Sequence, residues 1–264
     1  MARSIGGVMI GPVKIPLFVS ALFVLITTTG AAQMLETETA RLLPARSWKG
    51  GTAFEFQTSG EGTEAAIPLA IEYGLANRLE LLVEPVPYTA IRPNTGPHAT
   101  GVGDVEATLT ALVGHETHST PAFAVAAEIK FPTAHDSLIG SGEPDYTGYL
   151  IASKRFGRFD MHVNVAYTFV GRQDNVQLNN IVSFAVAGVY HPSTALQLFG
   201  EVLGNTGAIP GSESSTAPEV AGGEISGTLG LGRDIAPGLL LYVAVSYDTN
   251  NAVLMRPGIT WRFQ

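Results

Sequence analysis

The sequence contains no cysteine and few charged residues. The absence of cysteine among 264 residues excludes disulfide scaffolds, thiolate metal sites, cysteine nucleophiles and lipid anchors on an N-terminal cysteine. Charged residues make up 14%, against about 25% in an average soluble domain. The net charge is -8, and no run of lysine or arginine offers a nucleic-acid surface. With 45% hydrophobic residues the chain is too apolar for disorder, so much of its surface is expected to contact something other than water.

Long hydrophobic runs are also scarce. An apolar stretch at 15–26 follows two basic residues, Arg3 and Lys14, and is itself followed by small residues at 30–32. This stretch is about 12 residues long, shorter than the roughly 20 that a membrane-anchoring helix needs. We therefore expect residues 1–32 to be a cleaved secretory signal peptide.

Alternation of apolar and polar residues is the dominant pattern after residue 50. In the segment 159–169 every odd position is apolar, whereas Asp160, His162 and Asn164 are among the even ones. This alternation is typical of strands with one apolar face. We predict about 12 strands, near residues 52–58, 64–73, 78–86, 102–114, 122–131, 146–155, 159–170, 180–191, 194–204, 223–233, 238–248 and 252–263.

The connections decide which side of the sheet is apolar. A β-sandwich buries its apolar face, whereas a membrane barrel turns that face to lipid. Long links mostly alternate with short turns, as in outer-membrane barrels. We therefore predict an all-β fold, a transmembrane antiparallel up-and-down β-barrel over residues 51–264, in the outer membrane of a Gram-negative bacterium. The long links are 87–101, 132–145, 171–179 and 205–222, and the short ones are 74–77, 157–158, 191–193 and 234–237.

The last strand carries two further signals. Val253–Phe263 places Trp261 and Phe263 on one alternating face, which resembles the C-terminal signal that the barrel assembly machinery reads, although Gln264 follows the last aromatic residue. Pro257 lacks an amide donor, which predicts a bulge or a weak point in the ladder.

Charged side chains on the opposite face are the candidate lumen residues. They either line a pore or pair with one another inside the barrel, because charges there need partners in either case. No catalytic, cofactor or metal site is predicted, and His115 and His118 are assigned to a solvated turn. The predominantly acidic set is expected to disfavour anionic solutes. It comprises Glu55, Glu72, Glu80, Glu84, Asp104, Glu106, Glu128, Lys130, Asp160, His162, Glu201, Glu224, Arg256 and Arg262.

Residues 33–50 precede the first predicted strand and combine mixed charges with Leu42 and Leu43. The sequence allows two placements: a small plug inside the barrel or a segment in the periplasm.

Four short motifs resemble an outer-membrane transporter family named for the meta-pathway of phenol degradation. They are GVGDV at 101–105, EIKFPT at 128–133, YLIASK at 149–154 and NVAY at 164–167, with Ala134 where a glycine is expected. The resemblance implies a β-barrel channel that admits small hydrophobic or aromatic compounds. Within it, Asp104, Glu106 and Lys130 are expected at the extracellular mouth, where they gate the entrance or hold the rim by pairing.

Three other functions remain open at this point. A closed structural or adhesive barrel would present its loop at 205–222 to outside partners. An outer-membrane hydrolase would need a serine and a histidine on facing exposed strand ends, and no such pair stands out in the sequence. A soluble secreted β-sandwich is the fourth reading.

Overall fold

The computed structural model describes residues 35–172, 178–208 and 223–263. In these ranges there is no helix with the length and apolarity that crossing a membrane requires. The predicted signal peptide, Gln264 and most of the loop at 205–222 lie outside the described residues.

The described strands form one antiparallel sheet that closes on itself. The first strand pairs with the fourth on one side and with the last on the other, which closes a barrel of twelve strands. The predicted fold is therefore confirmed. The strands are β1 (Trp48–Ala53), β2 (Glu55–Thr58), β3 (Gly62–Ile67), β4 (Leu69–Ala76), β5 (Leu79–Pro85), β6 (Tyr88–Pro93), β7 (Ala99–Gly101), β8 (Val105–Gly114), β9 (Ala122–Phe131), β10 (Asp145–Phe156), β11 (Phe159–Phe169), β12 (Ile181–Tyr190), β13 (Leu196–Asn205), β14 (Glu224–Ala236), β15 (Leu239–Asp248) and β16 (Val253–Phe263).

Four short strands extend barrel strands beyond a break. β2, β3, β6 and β7 continue β1, β4, β5 and β8 and pair with one another in the order β2-β3-β6-β7. The break between β1 and β2 falls at Phe54, opposite Pro257 of β16. The Phe54 N–H donates to the Pro257 carbonyl at 2.9 Å, but proline has no N–H to donate in return. The predicted weak point therefore lies in the partner strand, and β16 keeps its register against β15 without a bulge.

Prolines also mark the neighbouring breaks. Pro68 separates β3 from β4, and Pro87 falls in the gap between β5 and β6. The expectation of a loop over 87–101 was wrong, because β6 and β7 occupy most of it and the turn covers only 94–98. Proline and glycine there interrupt the ladder without ending the extended chain.

The two faces of the wall differ as the alternation predicts. On β11, Phe159, Val165 and Phe169 are exposed, whereas Asp160 and His162 are almost completely buried. The apolar face therefore points outward and the polar face points into the lumen, the arrangement of a membrane barrel.

The wall has two ends, which differ in their connections. We call them the short-turn end and the long-loop end. The short-turn end carries the connections 77–78, 115–121, 157–158, 191–195 and 237–238, and the long-loop end carries 59–61, 94–98, 132–144, 170–180, 206–223 and 249–252.

Aromatic rings cover glycines on neighbouring strands. A Cβ added to Gly204 of β13 would lie 2.8 Å from the ring of Phe184, which is its direct partner on β12. Phe199 over Gly230 and Tyr242 over Gly258 repeat the arrangement. Such pairs fill the space that a glycine leaves in a curved sheet.

The outward face gives a test of membrane embedding. Leu229, in the middle of β14, is 75% exposed. Replacing it with arginine should destabilise the barrel by about 2–4 kcal/mol in phospholipid vesicles, because the charge would lie near the bilayer midplane. Urea unfolding followed by gel mobility measures this difference. The control variant Thr95→Arg places the same charge in an exposed turn and should unfold like the parent, whereas equal unfolding of Leu229→Arg would contradict the lipid-facing assignment.

Candidate functional site in the barrel lumen

Residues 35–47, here called the lumen segment, make their contacts with inward-facing side chains of the barrel. Leu35 belongs to an apolar cluster with Val189 and Phe199, and Ala40 belongs to a second cluster with Ala124. All five side chains are 5% exposed or less. The segment thus completes two small apolar cores inside a wall whose inner face is otherwise polar.

Glu201 of β13 holds the first part of the lumen segment. Its carboxylate accepts the Thr37 N–H at 2.7 Å and the Glu36 N–H at 3.3 Å, and it also accepts the Thr37 hydroxyl. Thr37 is 1% exposed. Hydrogen bonds to a buried carboxylate are among the stronger ones in proteins, so Glu201 is a principal anchor of the segment.

A serine and histidine pair on β10 and β11 holds the middle of the segment. The Ser153 hydroxyl accepts the Ala40 N–H at 2.9 Å and lies 2.9 Å from Nδ1 of His162. Asn164, further along β11, donates to the Glu38 carbonyl at 3.2 Å. Ser153 and His162 are 1% and 3% exposed, so the segment shields this pair.

The segment leaves the lumen at the short-turn end, beside Gly74 of β4. The Leu43 N–H donates to Glu80 at 2.5 Å, the Arg46 N–H donates to the Gly74 carbonyl at 2.6 Å, and the Gly74 N–H donates to the Ser47 carbonyl at 3.0 Å. A Cβ at Gly74 would approach the carbonyl oxygen of Pro44 to 2.1 Å. A glycine is therefore required there for the chain to pass.

Arg41 links the segment to the charges of the short-turn end. Its guanidinium lies 2.6 Å from Glu116 and 3.4 Å from Asp160. Asp160 also pairs with Arg155 at 2.5 Å. Burial raises the pKa of Glu116, but the Arg155 N–H, Arg41 and Lys154 outweigh it and hold that pKa below its usual value.

Several predicted lumen charges form ion pairs. Lys49 and Glu72 pair at 2.8 Å and are 4–5% exposed. Arg256 lies 2.7 Å from Glu55 and also pairs with Glu36 of the lumen segment.

The expected mouth cluster at the long-loop end is also paired. Lys130 pairs with Asp145 and lies 4.0 Å from Asp104. Asp104 accepts the Ala134 N–H at 2.9 Å, which ties the loop 132–144 to β8. The geometry is that of a rim held by pairing.

A cavity of about 300 Å³ lies between the lumen segment and the long-loop end. Glu84 of β5 stands directly opposite Glu106 of β8, and no hydrogen bond or ion pair to either occurs within the described ranges. Glu128 accepts the Tyr149 hydroxyl at 2.8 Å. We call Glu36, Glu38, Glu84, Glu106 and Glu128 the acidic vestibule.

Glu38 is the vestibule carboxyl contributed by the middle of the lumen segment. Burial, and after it the neighbouring Glu72, Glu80 and Glu128, raises the pKa of Glu38 to about 8. A second cavity, of about 160 Å³, is lined by Glu36 and Arg256 among others. Glu36 therefore borders both cavities.

All the predicted lumen residues lie on the inner face, and none is exposed. The sequence reasoning missed Ser153, because β10 is apolar on both faces: Leu150 is 66% exposed and Ile151 is 2% exposed. It also missed the vestibule residues of the lumen segment, since they precede the first strand. Within the described parts of the chain, no three His, Asp or Glu side chains are arranged to hold a metal ion.

The anchoring of the lumen segment can be measured because the chain has no cysteine. A single Ala40→Cys variant should react slowly with a maleimide, since residue 40 is 3% exposed. Adding Glu201→Ala should accelerate labelling roughly thirty-fold, because losing a hydrogen-bonded charged acceptor costs about 2 kcal/mol. Glu106→Ala is the matched control, as it removes a lumen carboxylate that makes no hydrogen bond to the segment. Equal acceleration by both would show that Glu201 is not an anchor.

Comparisons with known proteins identify the fold. No protein-family model matches the sequence, and no curated protein matches it. Among solved structures, the chain is similar to the COG4313 outer membrane channel from Pseudomonas putida F1, with a TM-score of 0.65 and 14% identity over 84% of this chain and 97% of that one.

Two porins are similar as well. NanC porin gives a TM-score of 0.61 at 9% identity over 81% of this chain and 100% of that one. KdgM porin, in complex with disordered oligogalacturonate, gives a TM-score of 0.57 at 13% identity over 82% of this chain and 99% of that one. At these identities the similarity establishes the fold alone: a closed, antiparallel twelve-stranded barrel of the outer-membrane type.

Proposed function

We propose that the protein is an outer-membrane channel for small solutes, with its long-loop end outside the cell and its short-turn end in the periplasm. The observation that carries this proposal is the closed barrel with an apolar outer face and a charged lumen that contains cavities. The three outer-membrane channels and porins with the same fold support it. The C-terminal strand Val253–Phe263 would be read by the barrel assembly machinery during insertion.

The proposed solutes are small hydrophobic or aromatic compounds, and a link to phenol catabolism rests on the sequence resemblance. The acidic vestibule argues against acidic solutes. KdgM porin is described in complex with oligogalacturonate, an acidic sugar chain. A lumen with opposed carboxylates at Glu84 and Glu106 would repel such a ligand, so neutral and cationic solutes fit better.

The lumen segment is proposed to act as an internal plug that narrows the channel. A twelve-stranded barrel is wider than the eight-stranded kind that side chains alone can fill. The segment fills part of this space with Leu35, Ala40 and Leu43, each 5% exposed or less. Solutes would then pass beside the segment or after its displacement.

A closed structural barrel is the second candidate, and the many contacts of the lumen segment favour it. A hydrolase is a weaker candidate. Ser153 and His162 form the kind of pair that such an enzyme needs, but the Ala40 N–H bonds the serine and the segment covers both.

A solute permeation assay distinguishes the proposed channel from a closed structural barrel. The parent protein in liposomes should admit small neutral solutes slowly in a swelling assay. A variant with aspartate at Leu35, Ala40 and Leu43 should admit them several-fold faster, because acidic lumen groups would repel the segment. The control variant combines Asn94→Asp with Thr95→Asp in an external turn, and its rate of liposome swelling should equal that of the parent. If neither the parent nor the triple variant leaks, the channel proposal fails.

The vestibule predicts a preference for cations. In a planar bilayer under a potassium chloride gradient, the reversal potential should have the sign of cation selectivity. Combining Glu84→Gln with Glu106→Gln should reduce this reversal potential, whereas Glu61→Gln, in an exposed turn, should leave it unchanged. Because the pKa of Glu38 is about 8, raising the pH from 7 to 9 removes its proton and should strengthen the preference. An anion-selective parent would refute the assigned role of the vestibule.

A further inference from the structure

The outer surface of the short-turn end carries an arginine that faces away from the lumen. Arg233 of β14 is exposed and stands between Leu196 of β13 and Leu241 of β15, which are its direct partners. Leu231, two residues earlier on the same face, is 47% exposed. Arg233 is therefore placed on the apolar outer face near the end of β14, with Ile235 exposed beyond it on that strand.

A second exposed arginine lies on the other side of the turn 191–195. Arg158 donates from Nη1 to the Pro192 carbonyl at 2.9 Å, and its own carbonyl accepts the His191 N–H at 2.9 Å. One guanidinium has five N–H groups, so this bond leaves most of them free for a ligand. Neither Arg158 nor Arg233 forms an ion pair with any residue in 35–172, 178–208 or 223–263.

The turn between the two arginines adds hydroxyl groups. Ser193 and Thr194 are exposed, and the Asp234 N–H donates to the Ala195 carbonyl at 2.9 Å, which fixes the turn beside β14. Three strand spacings separate the two arginine backbones, or about 14 Å. Both long side chains can reach over the turn from opposite sides.

Aromatic residues place this cluster at the boundary of the apolar surface. Phe159 and Tyr190, at the same end of the neighbouring strands β11 and β12, are 39% and 44% exposed. Aromatic residues concentrate where lipid headgroups meet acyl chains. An arginine at that level extends its guanidinium to the headgroups while its stem stays on apolar surface.

We propose that Arg158, Arg233 and the turn 191–195 form a binding site for the phosphate group of a phospholipid in the leaflet that surrounds the short-turn end. Guanidinium groups bind phosphate oxygens by paired charge-assisted hydrogen bonds, and the serine and threonine hydroxyls can donate as well. Because the site is cationic, an anionic lipid such as phosphatidylglycerol should be preferred over zwitterionic phosphatidylethanolamine.

Native mass spectrometry of the full barrel, released from vesicles of phosphatidylethanolamine with phosphatidylglycerol, tests this site. The parent should retain phosphatidylglycerol preferentially. Combining Arg158→Gln with Arg233→Gln should weaken retention roughly 25-fold, since each basic residue at a membrane surface contributes about five-fold in affinity. Arg92→Gln, an exposed arginine at the long-loop end, is the matched control and should retain the parental level. Unchanged retention in the double variant, or equal loss in Arg92→Gln, would overturn the proposal.

Two further arms keep the result interpretable. Combining Arg158→Lys with Arg233→Lys preserves the charge and should retain more phosphatidylglycerol than the double glutamine variant does, which a general folding defect would not produce. Gel mobility before and after heating checks that each barrel is folded, and Arg233→Gln alone replaces the double variant if that one does not fold. Retention of inorganic phosphate by the parent without preferential retention of phosphatidylglycerol would assign the site to the free anion and refute a lipid site. Preferential retention of phosphatidylglycerol in the presence of inorganic phosphate supports the proposal.

Discussion

The requirement that every backbone N–H and C=O in a bilayer has a partner dictates this structure. In hydrocarbon an unpaired peptide group costs several kcal/mol, so strands can cross only as a closed sheet. The pairing of β1 with β16 meets that requirement by removing both edges of the barrel. The low charge of the sequence, its alternating pattern and the outward position of residues such as Val165 and Leu229 all follow from closing a sheet in lipid.

The prolines show where that requirement is relaxed. Pro257 cannot donate to Phe54, and Pro68 and Pro87 interrupt the adjoining strands, so the breaks run across neighbouring strands rather than being scattered. The extended strands resume beyond the breaks, with β2 pairing to β3 and β3 to β6. The wall thus divides into a continuous body and an extension towards the long-loop end.

Sequence periodicity predicted the wall well because each strand has one lipid face, and lipid tolerates few polar side chains. The strand β11 is clear for this reason. The alternation is less clear on β10, because both of its faces carry apolar residues: Ile151 packs inward in the cluster that contains Ala40, and Leu150 is exposed on the outer face. The region 87–101 was assigned to a loop because its prolines and glycines resemble a loop composition, although pairing with distant strands kept it extended.

The lumen segment could not be placed from sequence for a different reason. Its residues show no alternation, and what holds them is scattered along the chain: Glu80, Ser153 and Glu201 lie on three different strands. Only the closed barrel brings these anchors together. Once it does, the same inward carboxylates have two roles. Glu201 and Glu80 accept backbone N–H groups of the segment, whereas Glu84 and Glu106 are direct cross-strand partners on β5 and β8 and both line the cavity above it.

These two roles differ because the lumen segment occupies only the part of the lumen below the cavity. Glu201 and Glu80 lie beside the segment and accept its backbone N–H groups. Glu84 and Glu106 lie nearer the long-loop end, and neither has a hydrogen-bond or ion-pair partner within the described residues. Directly opposed like charges are unfavourable in a sheet unless something else compensates them. In the proposed channel, the solute pathway would supply water and mobile cations, which screen such a pair and which a packed interior cannot provide. In the proposed channel, Glu84 and Glu106 therefore line the part of the lumen that stays open, whereas Glu201 and Glu80 lie where the segment fills it.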